Sequence, residues 1–422
     1  MRGSSMTDIG AYNEKLVLQM IREAPEGIGQ AEVVRRSNLS RQAVSLITRR
    51  LLAEGLVETA GRQVSGRGKP TTLLRVVADS RLAIGVHLDP AYVSVVVCDL
   101  LARPLAGTRL PAPSDDPAQD IRRIGEAIDQ LAARIGAMRP PQQPGQERSG
   151  RRLLLGVGIA APAALDSTTG VVIDPPWIPG WRNVAVVDAL QAATGLPCLL
   201  DKDTNAVLTG EIWTEHLPSD ETVLYVYVGH GVGSAVSGGR QVHRGGTTQA
   251  GEIGHLPIGR ADRRCTCGRH GCLSLYTDAL RLMERAREAG VHLPADTPVP
   301  HAMEAIGKSA GAGHQGACSV IREHGAALGE ALLILAGIHD PDRIIVGGPT
   351  WMHLREHGMP PIREALAEWT QQGRAEPDSS RLGNEAGAVG AASLFLDQEL
   401  APETPTAAAG QPVGLSLIHI SD

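Results

Sequence analysis

The chain has 422 residues, of which 42% are hydrophobic and 20% charged, and its formal net charge is −6. This composition is typical of a folded protein of two or three domains. No apolar run reaches the roughly 20 residues of a membrane-spanning helix, which argues against an integral membrane protein. Six cysteines, three of them clustered, indicate a reducing cytoplasm and not a disulfide framework. The charge is uneven: residues 1–80 contain 12 Lys or Arg and 8 Asp or Glu, whereas the rest contains 28 and 38. A basic N-terminal part on an acidic body suggests that only the N-terminal part meets a polyanion.

Three helical patterns separated by short breaks occupy residues 12–53. The predicted helices are Asn13–Arg22, Gln30–Arg36 and Arg41–Ala53, and Ser40 is placed to cap the third. In the third helix the residues expected to face inward are Val44, Ile47, Leu51 and Leu52. Its opposite face then carries side chains that suit phosphates and base edges in a major groove, namely Arg41, Gln42, Ser45 and Arg49.

Two predicted strands, Val57–Ala60 and Thr72–Val77, bracket a basic, glycine-rich segment. Such a β-hairpin can place Arg67 and Lys69 against the DNA backbone or in a narrow minor groove. Residues 1–79 are therefore predicted to be a winged helix-turn-helix DNA-binding domain, all-α apart from this wing. A three-helix protein-interaction module with a solvated loop is the alternative.

From residue 82 the pattern changes to strands alternating with amphipathic helices. Strands at 82–88, 92–98 and 105–110 are followed much later by strands at 222–228, 233–237 and 240–244, which repeat the same plan. Helices are predicted to fill the intervals, at 118–138, 184–194, 205–216, 275–289 and 319–338. The repeat predicts an α/β body made of two duplicated lobes with a cleft between them. The polar segment 140–150 is expected to be a loop, and 399–422 a disordered, vector-derived tail.

Three thiols occur within eight residues, at Cys265, Cys267 and Cys272, ten residues after His255. Three thiols and an imidazole are enough to close a tetrahedral zinc shell. Pairing as disulfides would leave one thiol over, and cysteines this close form strained bridges. We therefore expect a structural zinc held by these four residues. His270 would compete with His255 as the fourth ligand, and three surface thiols without metal are the alternative.

Several motifs, taken in order, resemble those of the ROK family of repressors, uncharacterised frames and sugar kinases. They are Gly156–Pro162, which resembles the family's glycine/proline loop near the sugar, Asp203–Asn205, Glu252–His255 with the cysteine cluster, and Ile344–Gly348. The resemblance covers residues 80–398 and implies the actin-like ATPase (hexokinase-type) fold. It also implies a sugar-sensing domain with a zinc loop, in which Asp203, Glu252 and His255 contact the ligand.

Both phosphate loops of the family's kinases are altered in this chain. Where those kinases have Asp followed by Ile-Gly-Gly-Thr, residues 87–91 read His-Leu-Asp-Pro-Ala, which adds the Asp89 carboxylate and, at Pro90, removes an N–H donor. The second loop keeps its glycines, but His230 stands where Thr is usual. A carboxylate facing the nucleotide's phosphates repels them, and phosphoryl transfer depends on positioning those phosphates. We therefore expect no enzymatic activity.

The resemblance retains part of the sugar side. Asp203 matches the kinase general base, which here would accept a hydrogen bond from a sugar hydroxyl. Lys202 replaces the usual Asn and Ser274 the Glu that ends the cysteine motif, which would suit an acidic, phosphorylated or otherwise unusual ligand. Trp177 and Trp181 would line the cleft or pack a lobe. A vestigial, empty cleft is the alternative.

The sequence thus predicts a cytoplasmic, zinc-containing transcriptional repressor of the ROK type. Residues 1–79 would bind operator DNA, and residues 80–398 would sense a sugar or sugar-derived effector. A palindromic operator would require a homodimer or a dimer of dimers. Ligand would close the lobes and change the spacing of the DNA-binding domains. The alternatives are an active ROK sugar kinase with a DNA-binding head and a ligand-independent DNA-binding regulator.

Overall fold

The computed structural model describes residues 6–63, 71–138 and 152–402, apart from the single positions 163, 179, 219, 261, 372, 373 and 375. The predicted contacts of Arg67 and Lys69, the loop at 140–150 and most of the 399–422 tail lie outside these residues. The described residues pack as two units, which divide between Val77 and Ala78 and again between Asp397 and Gln398. Within these residues, no helix is both long and apolar enough to cross a bilayer.

The first unit consists of three helices and a small antiparallel sheet of order β1-β3-β2. Its elements are α1 (Met6–Arg22), β1 (Ile28–Gly29), α2 (Gln30–Ser37), α3 (Arg41–Ala53), β2 (Val57–Gln63) and β3 (Thr71–Val76). Asn38 turns the chain between α2 and α3 with a left-handed φ of 56°, a conformation that Asn tolerates better than most residues. Ser40 Oγ then accepts a hydrogen bond from the backbone N–H of Ala43 at 3.1 Å, so the predicted helix cap is present.

One residue of α3 that was predicted to face inward is exposed. The buried stripe of this helix consists of Val44, Ile47, Thr48 and Leu51. Leu52, expected to face inward, is 36% exposed. Successive helical residues are rotated by about 100°, which puts Leu52 about 90° around the helix from the centre of this stripe, beyond its edge.

The second unit is built on two five-stranded sheets, one in each of two lobes. The first lobe holds β4 (Arg81–Leu88), β5 (Val93–Asp99), β6 (Pro104–Leu110), β7 (Leu153–Ala161), a small hairpin of β8 (Ala164–Asp166) and β9 (Val171–Asp174), and β10 (Cys198–Lys202). The second lobe holds β11 (Thr222–Val228), β12 (Val232–Gly238), β13 (Gln241–Val242), β14 (Arg343–Gly347) and β15 (Asp378–Ser379).

The two sheets have the same topology. Their strand orders are β10-β7-β4-β5-β6 and β13-β12-β11-β14-β15. In each, a central strand pairs antiparallel with the next strand of the chain and parallel with a later one. Each sheet therefore repeats the other strand by strand, as the duplicated sequence pattern predicted.

Helices cover both sheets, and each lobe has its own apolar core. They are α4 (Pro117–Arg134), α5 (Val186–Thr194), α6 (Asp203–Thr214), α7 (Ser274–Thr277), α8 (Ala279–Glu288), α9 (Val299–Gly311), α10 (Gln315–His339), α11 (Trp351–Ala365), α12 (Ala367–Thr370) and α13 (Ala386–Leu400). The helix predicted at 275–289 is broken at Asp278, whose backbone is extended at φ −61° and ψ 136°. The helices α9, α11, α12 and α13 had no counterpart in the prediction.

Glycines in two central strands allow α13 to lie directly on the first sheet. A Cβ on Gly85 in β4 would overlap the carbonyl oxygen of Ala388, and one on Gly158 in β7 would overlap that of Ala391. The expectation of a loop at Gly156–Pro162 is therefore wrong for all but its last residue, because residues 156–161 belong to β7. The glycines of this segment serve close packing of a helix on a strand.

We expect Gly158→Ala to lower the free energy of unfolding by about 1–3 kcal/mol, because the added methyl group meets backbone that cannot move aside cheaply. Urea unfolding followed by circular dichroism measures the change. Gly238→Ala is the matched control, since a Cβ on that strand glycine meets nothing within 4 Å. Equal unfolding midpoints for the two variants would contradict the assigned packing role.

Candidate functional site

A cavity of about 400 Å³ opens between the two lobes of the second unit. The parallel strands β4, β7 and β10 all end at this cavity, and the residues that follow them, Asp89, Pro162 and Asp203, line it. The carboxyl ends of parallel strands are a common place for ligand sites in α/β proteins. Glu252 and His255, predicted with Asp203 to contact a ligand, also line the cavity.

Asp203 is the first residue of α6 and is 8% exposed. Its Oδ1 accepts a hydrogen bond from the backbone N–H of Thr204 at 2.7 Å. Burial raises the pKa of Asp203 to about 7, against the opposing effects of the Lys202 ammonium and the Thr204 amide. This carboxyl group therefore changes its protonation state near neutral pH, at the wall of the cavity.

Lys202, one residue earlier, is only 2% exposed and brings a full positive charge to the same wall. Its Nζ lies 2.6 Å from Glu252 Oε1 and donates to the carbonyl oxygen of Ala250 at 3.1 Å. A buried charge is tolerated when it is paired and hydrogen-bonded. The ammonium already has an anionic partner in Glu252, so it does not present an unmatched positive charge to an acidic ligand.

Asp201 holds the junction between β10 and α6 through hydrogen bonds to its carboxylate. Its Oδ1 accepts hydrogen bonds from Asn205 Nδ2 at 2.9 Å and from the backbone N–H of Lys202 at 2.8 Å. Its Oδ2 accepts from Arg244 Nε at 2.7 Å. This network holds Lys202 and Asp203 in place, so both side chains meet the cavity in a defined orientation.

The two altered phosphate loops face each other across the cavity. Asp89 Oδ1 lies 3.5 Å from His230 Nδ1, and both side chains are largely buried. Burial lowers the pKa of His230, and the Asp89 carboxylate opposes this shift. Two substitutions that stand far apart in the sequence therefore form one contact between the lobes.

Three backbone donors of these loops are occupied within the protein. The N–H of Asp89 donates to the carbonyl oxygen of Tyr92 at 3.2 Å, and the N–H of Ala91 donates to Asp89 Oδ1 at 2.8 Å. In the second loop the N–H of Gly229 donates to the carbonyl oxygen of Gly231 at 2.9 Å. None of these three amides is left to donate to a phosphate.

His87 stands where the family's kinases carry a metal-organising Asp. It is 5% exposed, and burial lowers its pKa, so the ring is neutral at pH 7. Its ring meets the Tyr227 ring edge-on, with centroids 6.4 Å apart. Gly387, at the start of α13, makes room for the ring, because a Cβ there would overlap it. A neutral imidazole packed in this way does not replace a carboxylate as a magnesium ligand.

The two tryptophans of the 175–181 segment have different environments. Trp181 is fully buried in the core of the first lobe, whereas Trp177 is 47% exposed and lines the cavity. The Trp177 ring lies 6.3 Å from the His230 ring between centroids. A Cβ on Gly231 would be 2.9 Å from the same indole. Trp177 therefore adds an apolar contact between the lobes beside Asp89 and His230.

Asp278 is a cavity residue that the sequence reasoning missed. Burial raises its pKa to about 7. It precedes α8 as the N-cap residue, and an Asp at a helix start is the signal that could have located it. The predicted continuous helix across 275–289 concealed that signal.

The four predicted metal ligands come together beside the cavity. The donor atoms of His255, Cys265, Cys267 and Cys272 all lie within 4.8 Å of one another. Cys265 Sγ is 3.4 Å from His255 Nδ1, and Cys267 Sγ is 3.6 Å from Cys272 Sγ. Adjacent ligands of a tetrahedral zinc ion are separated by about 3.7 Å when the Zn–S bond is about 2.3 Å. The set is a possible His/Cys₃ metal site.

The backbone of the cysteine loop favours cation binding in two ways. The N–H of Cys267 hydrogen-bonds to Cys265 and is the main cause that lowers the pKa of this thiol to about 6. Thiolates are the form that binds metal. Gly268 and Gly271 have φ values of 90° and 66°, which glycine adopts without strain. The alternative ligand His270 is not among the four clustered residues.

In the first unit, the predicted DNA-contacting residues Arg41, Gln42 and Arg49 are exposed on α3, and Ser45 is half-buried among them. Arg49 Nε donates to the carbonyl oxygen of Ser45 at 3.4 Å within the same helix. Arg50, on the edge of this face, lies 3.7 Å from Glu14 Oε2. The exposed face of α3 is therefore basic, with an amide side chain near its N-terminus.

Known proteins match this chain over most of its length. It is 26% identical over 402 residues to a putative xylose repressor from Caldicellulosiruptor sp. (strain Rt8B.4), covering 93% of this chain and 97% of that protein. A crystal structure of a ROK family transcriptional regulator, a homologue of the E. coli MLC protein, superposes with a TM-score of 0.71 at 20% identity and covers 93% of this chain and 98% of that one.

A ROK family glucokinase from Streptomyces griseus, in complex with glucose and AMPPNP, has a TM-score of 0.59 at 25% identity and covers 74% of this chain and 98% of that one. The second unit therefore has the actin-like ROK fold. The family model described as ROK family matches residues 84–398. This chain belongs to the ROK family.

Proposed function

We propose that this protein is a transcriptional repressor that binds operator DNA through its first unit and a neutral sugar through the cleft of its second. The proposal is carried by the residues that line the two ends of the cleft. Its sugar-side acceptors Asp203 and Glu252 are present, while Asp89 and His230 contact each other at its phosphate end. Such a cleft binds without phosphorylating.

The first unit supports the DNA-binding half of the proposal. Its three helices and three-stranded sheet have the order of a winged helix-turn-helix, with α3 as the recognition helix. The basic exposed face of α3 suits a major groove. The putative xylose repressor matches 93% of this chain, whereas the glucokinase matches 74%. The longer match includes the part of the chain that a sugar kinase does not need.

The charges of the cleft favour an uncharged ligand. Lys202 is neutralised by Glu252, and Arg281, which also lines the cavity, is paired with Glu284 at 2.9 Å. Three further carboxyl groups, Asp89, Asp203 and Asp278, line the cavity. Above pH 7, where Asp203 and Asp278 are ionised, an anionic ligand would be repelled by these groups, so the acidic or phosphorylated effector that Lys202 suggested is disfavoured. Neutral hydroxyl groups can donate to the same carboxylates. D-Xylose and D-glucose are the first candidates, after the names of the relatives.

A sugar kinase with an added DNA-binding unit is the second candidate, since ROK glucokinases are relatives. It requires the two phosphate loops to accept a nucleotide. The Asp89 carboxylate would repel the phosphates, and the amides of Asp89, Ala91 and Gly229 already donate within the protein. We therefore infer that the protein is not an enzyme.

The metal site fits zinc by the chemistry of its donors, three thiols and one imidazole. A zinc ion held there would have a structural role and would fix the position of His255, which lines the cavity. Because Glu252 precedes His255 by three residues, the loop that holds the ion would also hold the sugar acceptor. No chemistry at the metal is required.

We infer further that the repressor works in the cytoplasm as a homodimer or a dimer of dimers. A palindromic operator is matched by a two-fold assembly. Residues 1–79 would act as the DNA-binding domain, residues 80–398 as the sensing domain and residues 399–422 as the tail. Sugar binding would change the arrangement of the lobes and release the operator, which requires that the sugar favour one arrangement energetically.

The purified protein is expected to shift duplexes from the region upstream of its gene, and D-xylose or D-glucose to reverse the shift. Arg41→Ala and Arg49→Ala should each weaken this binding by about tenfold or more, because each removes a phosphate or base contact. Fluorescence anisotropy at fixed salt measures the change, and Arg75→Ala, on the sheet, is the matched control. Sugar-dependent ADP formation from Mg-ATP, or full binding by both α3 variants, would contradict the proposal.

Sugar affinity is expected to fall as the pH drops below about 7. The raised pKa of Asp203 means that the carboxylate which accepts the hydroxyl becomes protonated in this range, and the association constant then falls by up to about tenfold per pH unit. Calorimetry with D-xylose and D-glucose from pH 8 to 5.5 tests this. Asp203→Asn should bind more weakly and with a shallower pH dependence, because Asp278, whose pKa is also raised to about 7, remains in the cavity. An unchanged profile in that variant would remove Asp203 from the site.

One zinc ion per chain is expected by elemental analysis of the purified protein. Cys265→Ser and Cys272→Ser should each lose the ion and lower the melting temperature, because a structural metal stabilises the fold that binds it. Cys318→Ser, a half-buried thiol outside the cluster, is the control and should retain zinc. Stoichiometric zinc in both cluster variants would show that these thiols are not ligands.

A further inference from the structure

An apolar side chain stands on the exposed, basic face of α3. Leu46 is 45% exposed. On the helix it lies one turn after Gln42 and one turn before Arg49 and Arg50. Its neighbours on the surface are therefore the residues that the proposed function assigns to DNA.

The fold of the first unit does not use this leucine. The buried stripe of α3 is formed by Val44, Ile47, Thr48 and Leu51, which face the opposite side of the helix. An exposed leucine on a surface helix is common and by itself needs no explanation. Leu46 differs because it stands in the middle of a basic face, in the second turn of α3, where the proposed function places DNA.

We propose that Leu46 contacts the C5-methyl group of a thymine in the major groove of the operator and thereby determines the base at that position. The proposal rests on the proposed function, in which α3 enters the major groove. Among the four bases only thymine presents a methyl group there, and apolar side chains are the groups that recognise it.

The spacing of the helix places this thymine relative to a second base. Gln42 carries the amide that pairs with the N6 and N7 atoms of adenine. One helical turn advances about 5.4 Å, and successive bases of a strand are about 3.4 Å apart along the DNA axis. Leu46 therefore reads a thymine within about one or two base pairs of an adenine read by Gln42.

The charges around Leu46 favour DNA over a protein as the partner of this face. Arg41 and Arg49 are exposed on the same side of the helix, and Arg50 adjoins it. A groove lined by phosphates complements these cations on both sides of the leucine. DNA thus supplies both the phosphates that attract the arginines and the methyl group that contacts Leu46.

The test uses the full-length protein and an operator duplex in which single thymines are replaced by deoxyuridine, which removes the methyl group alone. The parent protein should lose about fourfold in affinity at one thymine per half-site, the effect of exposing one methyl group. Leu46→Ala should bind the native duplex about fourfold or more weakly and show no further loss with uracil at that position. Leu52→Ala, 36% exposed on the same helix, should keep the uracil effect.

Two results would overturn the inference. Equal affinity of the parent for every uracil-substituted duplex would mean that no thymine methyl group is read. A Leu46→Ala variant that keeps the parent's loss at the same thymine would assign that methyl group to another residue. In both cases, operator binding that depends on Arg49 would leave the proposed function intact. A parent protein that binds no duplex would refute both.

Discussion

A buried ammonium must have an anionic partner, and Lys202 finds its partner in Glu252. The contact joins the start of α6, fixed by Asp201, to the loop that carries His255 and leads to the cysteine cluster. The pair therefore connects three parts of the molecule: the carboxyl edge of the first sheet, the cavity, and the possible metal site. Removing Glu252 would leave the Lys202 ammonium buried without its anionic partner, whereas the Glu252 side chain is 49% exposed and stays in contact with water when Lys202 is removed.

The two altered phosphate loops close one end of the cleft by contacting each other. Backbone N–H groups of the changed loops donate within the protein, and side chains of the two loops occupy the space between them. Asp89 and His230 meet, Trp177 packs beside them, and the loop amides donate within the chain. The sugar end, built on the N-terminus of α6 and the Glu252 loop, does not depend on these contacts. The two ends of one cleft can therefore change separately.

Much of this architecture was predictable from local patterns. The strand Thr222–Val228, the helix Arg41–Ala53 and its Ser40 cap all follow from periodicity and capping chemistry. By contrast, α13 could not be predicted: residues 386–396 are buried on every side, so the segment has no polar face to mark it as a helix. The pairing of Asp89 with His230 was also beyond local rules, because it joins loops of different lobes. Sequence patterns report which residues share a face, whereas contacts between distant loops depend on how the lobes pack.

The contact between Asp89 and His230 has a consequence for evolution. Replacing Asp89 with glycine alone, to restore a phosphate loop, would leave an imidazole buried against an empty space. Replacing His230 alone would leave a buried carboxylate without its neighbour. Each single replacement therefore removes one half of the contact that closes this end of the cleft. A lineage that carries this pair would therefore need to change both residues together to open this end of the cleft, whereas the residues around Asp203 can vary without disturbing the pair.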